Sequence, residues 1–283
     1  MSTAEVVVKE RSVLGESPVW SVAEQALYWV DVLNPRIHRF DPSTGTHDSW
    51  LVETEIGSIG LASGNRLVVG LRMGFACYDL GLSEIEIIAD PEGEGRYNAN
   101  RLNDGKVDRA GRFWCGSMQD PGHEPVGTLY RMDTDRTVHS MVDGIRVPNA
   151  LCWSPDNRIM YFADSFAGCI WAYDFDLATG AIENRRVFAQ ASEDGGHQDG
   201  ATVDADGFVW NAHIFAGRLV RYDPHGQIER EIEVPTSQVT SCAFGGPDLN
   251  TLYITTASMR MNREDLVTDP LAGSLFAVQT GVC

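Results

Sequence analysis

A short strand-like segment recurs six times along the chain, and its spacing limits what the chain can fold into. Each segment alternates apolar and polar residues between Gly, Pro, Asp or Asn, which is typical of β-strands joined by tight turns. Six equivalent apolar residues mark these segments: Leu27, Leu67, Phe113, Met160, Val209 and Leu252. Their spacings are 40, 46, 47, 49 and 43 residues, and the 3.6-residue pattern of helical repeats is missing. The sequence therefore predicts an all-β protein, a six-bladed β-propeller.

A second strand-like segment follows most of the repeats and leads into a turn, as in TLYRMDTDR and CIWAYDFDLATG, which predicts β-hairpins. Asp41 and Asp223 lie in such turns and are interpreted as turn formers. Asp31 and Asp164 recur after LYWV and MYFA, and we expect them to form hydrogen bonds within their blades. Since repeat folds of this length often form one unit, residues 1–283 are predicted to be a single domain.

The charge balance limits the expected partners. The chain has 22 Lys and Arg against 40 Asp and Glu, a net charge of −18 at pH 7. This charge repels phosphate backbones and anionic lipids, so we expect no nucleic acid and no membrane as a partner. Neither a signal peptide nor a stretch of about 20 apolar residues is apparent, which favours a cytoplasmic protein. We expect a monomer or a small homo-oligomer.

One position near the start of each blade holds a different residue type in most repeats, whereas a purely structural repeat position tends to keep the same residue. Four residues before an apolar anchor, the six repeats hold Glu16, Gly57, Asn103, Asn149, Asp199 and Thr240. The first strand of each propeller blade lines the central channel, so these residues surround one mouth of that channel. They are named the ring here. Because most of them carry oxygen but differ in type, we predict that their side chains converge on a shared ligand.

The ring predicts a metal site at this mouth of the channel. Glu16 and Asp199 supply two carboxylates and Asn149 adds a neutral oxygen, which matches the charge of a divalent cation. Such oxygen ligands suit Ca²⁺, Mg²⁺ or Mn²⁺ without excluding Fe²⁺ or Zn²⁺. Without a cation the two carboxylates would repel each other, and at least one would have a raised pKa. The alternative for Asp199 is a turn-forming role, since Asp-Gly pairs are common in turns.

Other catalytic chemistries have little support in the sequence. It contains no G-x-S-x-G elbow, phosphate-binding P-loop, dinucleotide fingerprint or H-E-x-x-H zinc motif. The seven histidines are scattered. Among them His197 and His213 are able to approach the ring, although a lone histidine is more often a packing or surface residue.

Five ordered segments resemble the regucalcin/gluconolactonase family, also named senescence marker proteins. They are LGESPVW, NRLNDGKVDRAGRFWCGSM, VPNALCWSPD, QDGATVDADGFVW and TSCAFGGPDLNTLYITTA, within a likeness from about residue 11 to 279. The resemblance implies a six-bladed propeller with one catalytic divalent metal that acts on sugar lactones. It implies that Glu16, Asn149 and Asp199 hold the metal, the same set that the ring predicts, and that Arg101 and Asn103 bind the substrate.

The chain departs from the family in one segment. Animal regucalcins have an acidic substrate-facing residue just after G-T-M, where this chain reads GSMQDPGHEPVG. Asp120 and Glu124 are the two candidates for that substrate-binding role, with Asp120 preferred. The order of motifs is most similar to bacterial gluconolactonases, arabinonolactonases and xylonolactonases, and the identity of the sugar lactone and its ring size stay open.

The reaction implied is hydrolysis of an aldono-1,4- or 1,5-lactone to the aldonic acid, within carbohydrate metabolism. Asp199 is the candidate catalytic base for the attacking water, and a metal-bound hydroxide is the alternative nucleophile. Two other functions remain open: a propeller hydrolase of aryl esters or organophosphates, and a non-catalytic calcium-binding propeller. The first would favour an apolar entrance and the second needs no polar ring, whereas Arg101 and Asn103 favour a polar, hydroxylated substrate.

Overall fold

A computed structural model describes residues 3–93, 99–190 and 196–282. Its 24 strands form six four-stranded antiparallel sheets, which are arranged as the blades of a β-propeller. This arrangement confirms the predicted six-bladed all-β fold. One helix, α1 (Asp265–Thr268), lies within the described ranges, and it is too short to cross a membrane.

Three blades follow β1 (Glu5–Val8) along the first half of the chain. The first contains β2 (Gly15–Ser21), β3 (Ala26–Asp31), β4 (Arg36–Asp41) and β5 (Thr46–Leu51). The second contains β6 (Ile56–Ala62), β7 (Arg66–Leu71), β8 (Gly74–Asp79) and β9 (Glu84–Ala89). The third contains β10 (Asn100–Val107), β11 (Phe113–Gln119), β12 (Gly127–Met132) and β13 (Val138–Ile145).

The remaining blades come from the second half. The fourth contains β14 (Pro148–Trp153), β15 (Ile159–Asp164), β16 (Cys169–Asp176) and β17 (Ala181–Gln190). The fifth contains β18 (His197–Val203), β19 (Val209–Ile214), β20 (Arg218–Tyr222) and β21 (Ile228–Glu233). The sixth contains β22 (Val239–Gly245), β23 (Thr251–Thr256), β24 (Leu275–Gln279) and, at its outer edge, β1.

The sixth blade joins the two ends of the chain. β1 pairs antiparallel with β24, with Glu5 opposite Ala277. Val8, the last residue of β1, packs against aromatic and aliphatic side chains of the first and sixth blades. The first strand of the chain therefore completes the last sheet and links the blades into a closed ring.

The apolar core lies between the blades. Six buried clusters occur among the described residues, and each combines side chains from two adjacent blades. Trp29 stands between the first and sixth blades, Trp114 between the third and fourth, and Trp210 between the fifth and sixth. Because every sheet buries both faces, the apolar residues of a blade have a partner blade on each side.

The two recurring aspartates form hydrogen bonds within their blades, as predicted. Asp31 accepts hydrogen bonds from the backbone N–H groups of Val13 and Leu14, at 2.8 and 3.0 Å. Asp164 accepts them in the same way from Arg146 and Val147, at 2.9 and 3.1 Å. The four N–H groups lie directly before β2 and β14, the first strands of the two blades. The aspartates therefore anchor the backbone two residues before the ring positions Glu16 and Asn149.

Every inner strand has a β-bulge at its ring position. In β2, β6, β10, β14, β18 and β22, the pairing with the next strand shifts register beside the ring residue. A bulge interrupts the regular alternation of side chains and re-aims them locally. The same local distortion, repeated around the channel, positions the ring side chains.

Candidate functional site

A cavity of about 380 Å³ lies at the mouth of the channel that the ring surrounds. Its lining includes all six residues that the sequence analysis assigned to metal or substrate: Glu16, Arg101, Asn103, Asp120, Asn149 and Asp199. They come from four different blades, so only the closed propeller brings them together. Glu124 lies exposed and outside the lining.

Two members of the ring do not take part in the cavity, which corrects the expectation that all six converge. A Cβ atom on Gly57 would lie 2.3 Å from the backbone oxygen of Leu102, because β10 packs directly against this glycine. The hydroxyl group of Thr240 donates a hydrogen bond to the backbone oxygen of Gly15. Both residues serve contacts between neighbouring inner strands.

Glu16 and Asp199 form a buried acidic pair. The two residues are 7% and 5% exposed, and each carboxyl lies near enough to the other to affect its pKa. Burial, reinforced by the charge of Asp104, raises the pKa of Glu16 to about 8. Burial and the neighbouring Glu16 and Asp104 also raise the pKa of Asp199. Both carboxyls therefore bind a proton more tightly than exposed carboxyls do, and a divalent cation that bound the pair would displace that proton.

Asn149 presents an unpartnered oxygen to the same cavity. Its Nδ2 donates to Ser165 Oγ at 2.8 Å, and Ser165 Oγ donates in turn to the backbone oxygen of Gln198 at 2.6 Å. The buried Oδ1 has no hydrogen-bond partner among the residues that the structure describes. A buried acceptor without a partner costs about 1–3 kcal/mol, so this oxygen is expected to have a ligand.

The donor set fits a hard divalent cation. Two carboxylates and one amide oxygen are the ligands that Ca²⁺ and similar ions prefer, with water completing the coordination. Within the described ranges, no three or more His, Cys, Asp and Glu side chains are grouped so that they could hold a metal. The amide oxygen of Asn149 is therefore needed as the third protein ligand.

The backbone is strained beside two of these three residues. Ser17 follows Glu16 with φ 51°, and Ala150 follows Asn149 with φ 54°. Residues with a Cβ atom rarely adopt the left-handed region, at a cost of about 1 kcal/mol or more each. Strain of this kind concentrates at functional sites, because the surrounding structure must hold a side chain in one orientation.

The Asp-Gly pair at 199–200 is not a turn. Asp199 lies within β18, and a Cβ atom on Gly200 would lie only 2.0 Å from Ser241 Oγ. The glycine is required because β22 passes close to β18, which leaves the aspartate free to project into the cavity. The interpretation of Asp199 as a simple turn former is wrong.

Arg101 is fixed by three acceptors. Its Nε donates to Asp120 Oδ2 and its Nη1 to Asn103 Oδ1, both at 2.7 Å, and Nη1 also lies 3.2 Å from the backbone oxygen of Leu102. Asn103 in turn donates from Nδ2 to the backbone oxygen of Pro148 at 3.0 Å. Nη2 of Arg101 has no protein partner in the described part of the chain, so a rigidly held N–H group remains for a ligand.

Asp104 and Ser165 are residues that the sequence analysis missed. Asp104 is buried and accepts a hydrogen bond from the backbone N–H of Leu151 at 3.1 Å, and burial raises its pKa. In a regular strand Asp104 would point away from the side on which Asn103 lies, but the bulge of β10 keeps both residues near the site. An Asp-Gly pair at 104–105, like that at 199–200 but one residue later relative to the ring position, was the available signal, and nothing local marked Ser165.

The two candidate histidines differ in position. His197 lines the cavity, with Nδ1 3.1 Å from the backbone oxygen of Ser165. His213 is fully buried, lies outside the lining, and has Nε2 3.1 Å from the hydroxyl of Tyr222. Of these two candidates, His197 is the one that lines the cavity.

The entrance of the cavity is aromatic. Ring centroids of His123 and Phe166 are 5.0 Å apart, those of Phe166 and His197 5.4 Å, and those of His197 and Phe215 6.4 Å. Phe166 and Phe215 are both exposed. An apolar entrance was expected for aryl esters and a polar lining for sugars. The cavity has both features, an aromatic rim and buried polar groups below it.

We expect the affinity for a divalent cation to rise with pH. Below pH 8 a proton on the Glu16–Asp199 pair must leave before both carboxylates bind the cation, so affinity falls by up to about tenfold per pH unit for each proton. Since the folded protein holds a proton that the unfolded chain releases at ordinary carboxyl pKa values, the cation-free protein should also lose stability as pH rises towards 8. Calorimetric titration with Ca²⁺ at pH 6 to 9, in buffers of different ionisation enthalpy, measures affinity and proton release together. An affinity independent of pH with no proton released would contradict this assignment.

The chain is similar to proteins named as lactonases and regucalcins. The sequence profile of the family described as SMP-30/Gluconolactonase/LRE-like region matches residues 14–258. The chain is 39% identical over 283 residues to 6-deoxy-6-sulfogluconolactonase of Pseudomonas putida, covering 99% of this chain and 96% of that protein. It is 37% identical over 270 residues to pentonolactonase XacC of Haloferax volcanii, covering 93% and 89%. The crystal structure of the calcium-binding protein regucalcin from Agrobacterium tumefaciens matches with a TM-score of 0.93 and 26% identity, covering 98% and 95%.

Proposed function

Because the chain belongs to the SMP-30/gluconolactonase/LRE-like family, as its five motifs indicated, we propose that it is a metal-dependent hydrolase that opens sugar lactones to aldonic acids. The reaction cleaves a carboxylic ester bond. The names of the bacterial and archaeal relatives support the substrate class, and the calcium of the Agrobacterium protein supports the cation. The observation that carries the proposal is the buried Oδ1 of Asn149, which no described residue contacts by a hydrogen bond, beside the two buried carboxyls of Glu16 and Asp199 in the cavity that Arg101 also lines.

Glu16, Asn149 and Asp199 would hold the cation. A divalent ion in this position supplies polarisation of the lactone carbonyl and stabilisation of the oxyanion that forms as water attacks. Ser165 contributes by fixing the amide of Asn149, because an Nδ2 that donates to Ser165 Oγ leaves Oδ1 directed away from it. The ligand set is compatible with Ca²⁺, Mg²⁺, Mn²⁺, Fe²⁺ or Zn²⁺.

Arg101 orients the lactone through Nη2, which donates to none of the described residues and suits a hydroxyl or ring oxygen of a sugar. Asp120 and Asn103 hold the guanidinium in place, so little side-chain entropy is lost when the substrate binds. Asp120 also lies 3.4 Å from Nη2 of Arg72. We therefore assign Asp120 and Asn103 to substrate binding mainly through their hold on Arg101.

Asp199 moves the proton. As water attacks the carbonyl carbon, a carboxylate oxygen of Asp199 accepts a proton from that water. The bond from the carbonyl carbon to the ring oxygen then breaks, and Asp199 returns the proton to the ring oxygen, which becomes the hydroxyl of the open acid while Asp199 is again a carboxylate. No covalent intermediate with the protein is required, in agreement with a sequence that contains no nucleophile motif.

Acid release from a panel of lactones, measured with and without a chelator, tests the proposal. We expect opening of glucono-1,5-lactone or pentono-1,4-lactones above the spontaneous rate, lost with the chelator and restored by added Ca²⁺, Mg²⁺ or Mn²⁺. The aromatic entrance favours one second candidate, an aryl-ester hydrolase, and turnover of 4-nitrophenyl esters but of no sugar lactone would establish it instead. Cation binding without any turnover would identify a calcium-binding propeller.

A further inference from the structure

Arg260 lines the mouth of the cavity without a partner. Its side chain is exposed, and it forms no ion pair or hydrogen bond with any residue within 3–93, 99–190 and 196–282. Arg101, the other arginine of the cavity, is by contrast paired with Asp120 at 2.7 Å. The chain has a net charge of −18, so acidic partners for an arginine are plentiful. An arginine that pairs with none of the described acidic residues therefore does not stabilise the fold through an ion pair with them.

The backbone holds Arg260 at a strained position. Ser258 Oγ donates to the backbone oxygen of Ser12 at 2.9 Å, and Gln238 Nε2 donates to that of Met259 at 3.0 Å, so the segment before Arg260 is tied on two sides. Arg260 itself has φ 60°, in the left-handed region that glycine or asparagine would occupy at lower cost. The ties and the turn fix where the side chain of Arg260 leaves the backbone at the rim, and its unpaired charge is the observation that indicates a ligand.

The charges of the cavity point to an anionic ligand for Arg260. Asp120 is matched by Arg101, and Glu16 with Asp199 matches a divalent cation. Arg260 is then the remaining unmatched charge among the described lining residues. Arg260 also borders an outer groove that carries Asp265 and Asp269, which would repel an anion, so an anionic ligand lies on the cavity side of Arg260.

We propose that Arg260 binds an anionic group carried by the lactone at the end of the sugar remote from the carbonyl. The group is an oxyanion such as a sulfonate, phosphate or carboxylate, which a guanidinium binds with two parallel N–H bonds. The inference rests on the proposed lactonase function and names the substrate class of the same site. Arg101 and the cation site act at the lactone carbonyl, whereas Arg260 selects substrates that carry an anionic group at the opposite end of the sugar.

The test compares kcat/KM for gluconolactones that differ only at the terminal carbon: hydroxyl, phosphate, sulfonate or carboxylate. We expect the wild-type protein to prefer one or more of the anionic lactones by about tenfold or more, equivalent to about 1.4 kcal/mol. Arg260→Gln should reduce that preference to near unity with little change for the neutral lactone, and Arg260→Lys should retain part of it. High salt should weaken the preference of the wild-type protein alone, because the interaction is exposed.

Arg263→Gln is the matched control, since Arg263 is an exposed arginine of the same segment that lines neither the cavity nor the outer groove. Equal kcat/KM for neutral and anionic lactones in the wild type, or a preference that survives in Arg260→Gln, would overturn the inference. If no lactone is opened at all, the proposed function fails, and the inference is decided by calorimetry. The affinities for a gluconolactam and its 6-phosphate are then compared, and a ratio near unity, or one unchanged by Arg260→Gln, overturns it.

Discussion

Replacing Asp199 with asparagine is expected to abolish both cation binding and lactone opening. The substitution keeps the size of the side chain but removes one of the two negative charges that match a divalent ion, together with the proposed proton acceptor. We expect kcat/KM to fall by about a thousandfold or more, the scale seen when a group that stabilises an oxyanion is lost. Glu16→Gln should also lose the cation, because Glu16 supplies the other charge. Elemental analysis of the purified proteins and acid release from a lactone give the two measurements.

Asp104→Asn is the matched control for these variants. Asp104 is buried as deeply and interacts electrostatically with both carboxyls, but it does not line the cavity. An asparagine at this position is still able to accept the hydrogen bond from Leu151. We expect this variant to keep the cation and to shift the rise of cation affinity to lower pH, since the charge that raises the pKa of Glu16 is gone. Full metal occupancy and activity in both Glu16→Gln and Asp199→Asn would refute the site.

Among the substitutions proposed here, Val8→Asp is expected to lower the free energy of unfolding most. Val8 is 8% exposed and packs in the cluster shared by the first and sixth blades, where a carboxylate finds no counter-charge within the cluster. Burial of an unpaired charge, or loss of β1 to avoid it, should lower the free energy of unfolding by about 3–5 kcal/mol. Urea unfolding followed by tryptophan fluorescence measures the effect.

Val7→Asp places the same charge one residue earlier, where the pairing of β1 with β24 shifts register between Val6 and Val8 and the side chain is exposed. Val7 is 36% exposed, so this control should change the free energy of unfolding by about 0.5 kcal/mol or less. Equal effects of the two substitutions would mean that β1 does not pack as the outer strand of the sixth blade.

The repeat and the period-two apolar pattern were sufficient to predict the six blades. Both depend on local alternation along the chain, and strands that bury both faces against neighbouring blades retain it. Spacing alone also aligned Glu16, Asn149 and Asp199, because residues at equivalent places in the inner strands reach the same mouth of the channel. The hydrogen bonds of Asp31 and Asp164 followed from the same reasoning.

The tertiary structure decided which way side chains point and what they meet. Gly57 and Thr240 share the ring position with Glu16, yet contacts with adjacent strands occupy them, since the approach of a neighbouring strand is not encoded in spacing. The bulge in β10 keeps Asp104 beside the site, and Ser165 orients Asn149 from another strand of the blade.

The sequence alone thus determined the number of blades and the residues at the channel mouth, because repeat period and strand alternation are local properties. It did not determine that β1 closes the sixth blade, that Asp120 rather than Glu124 reaches the cavity, or that Arg260 at its rim has no partner among the residues that the structure describes. Each of these depends on contacts between segments far apart in the chain, and such contacts exist only once the propeller has closed.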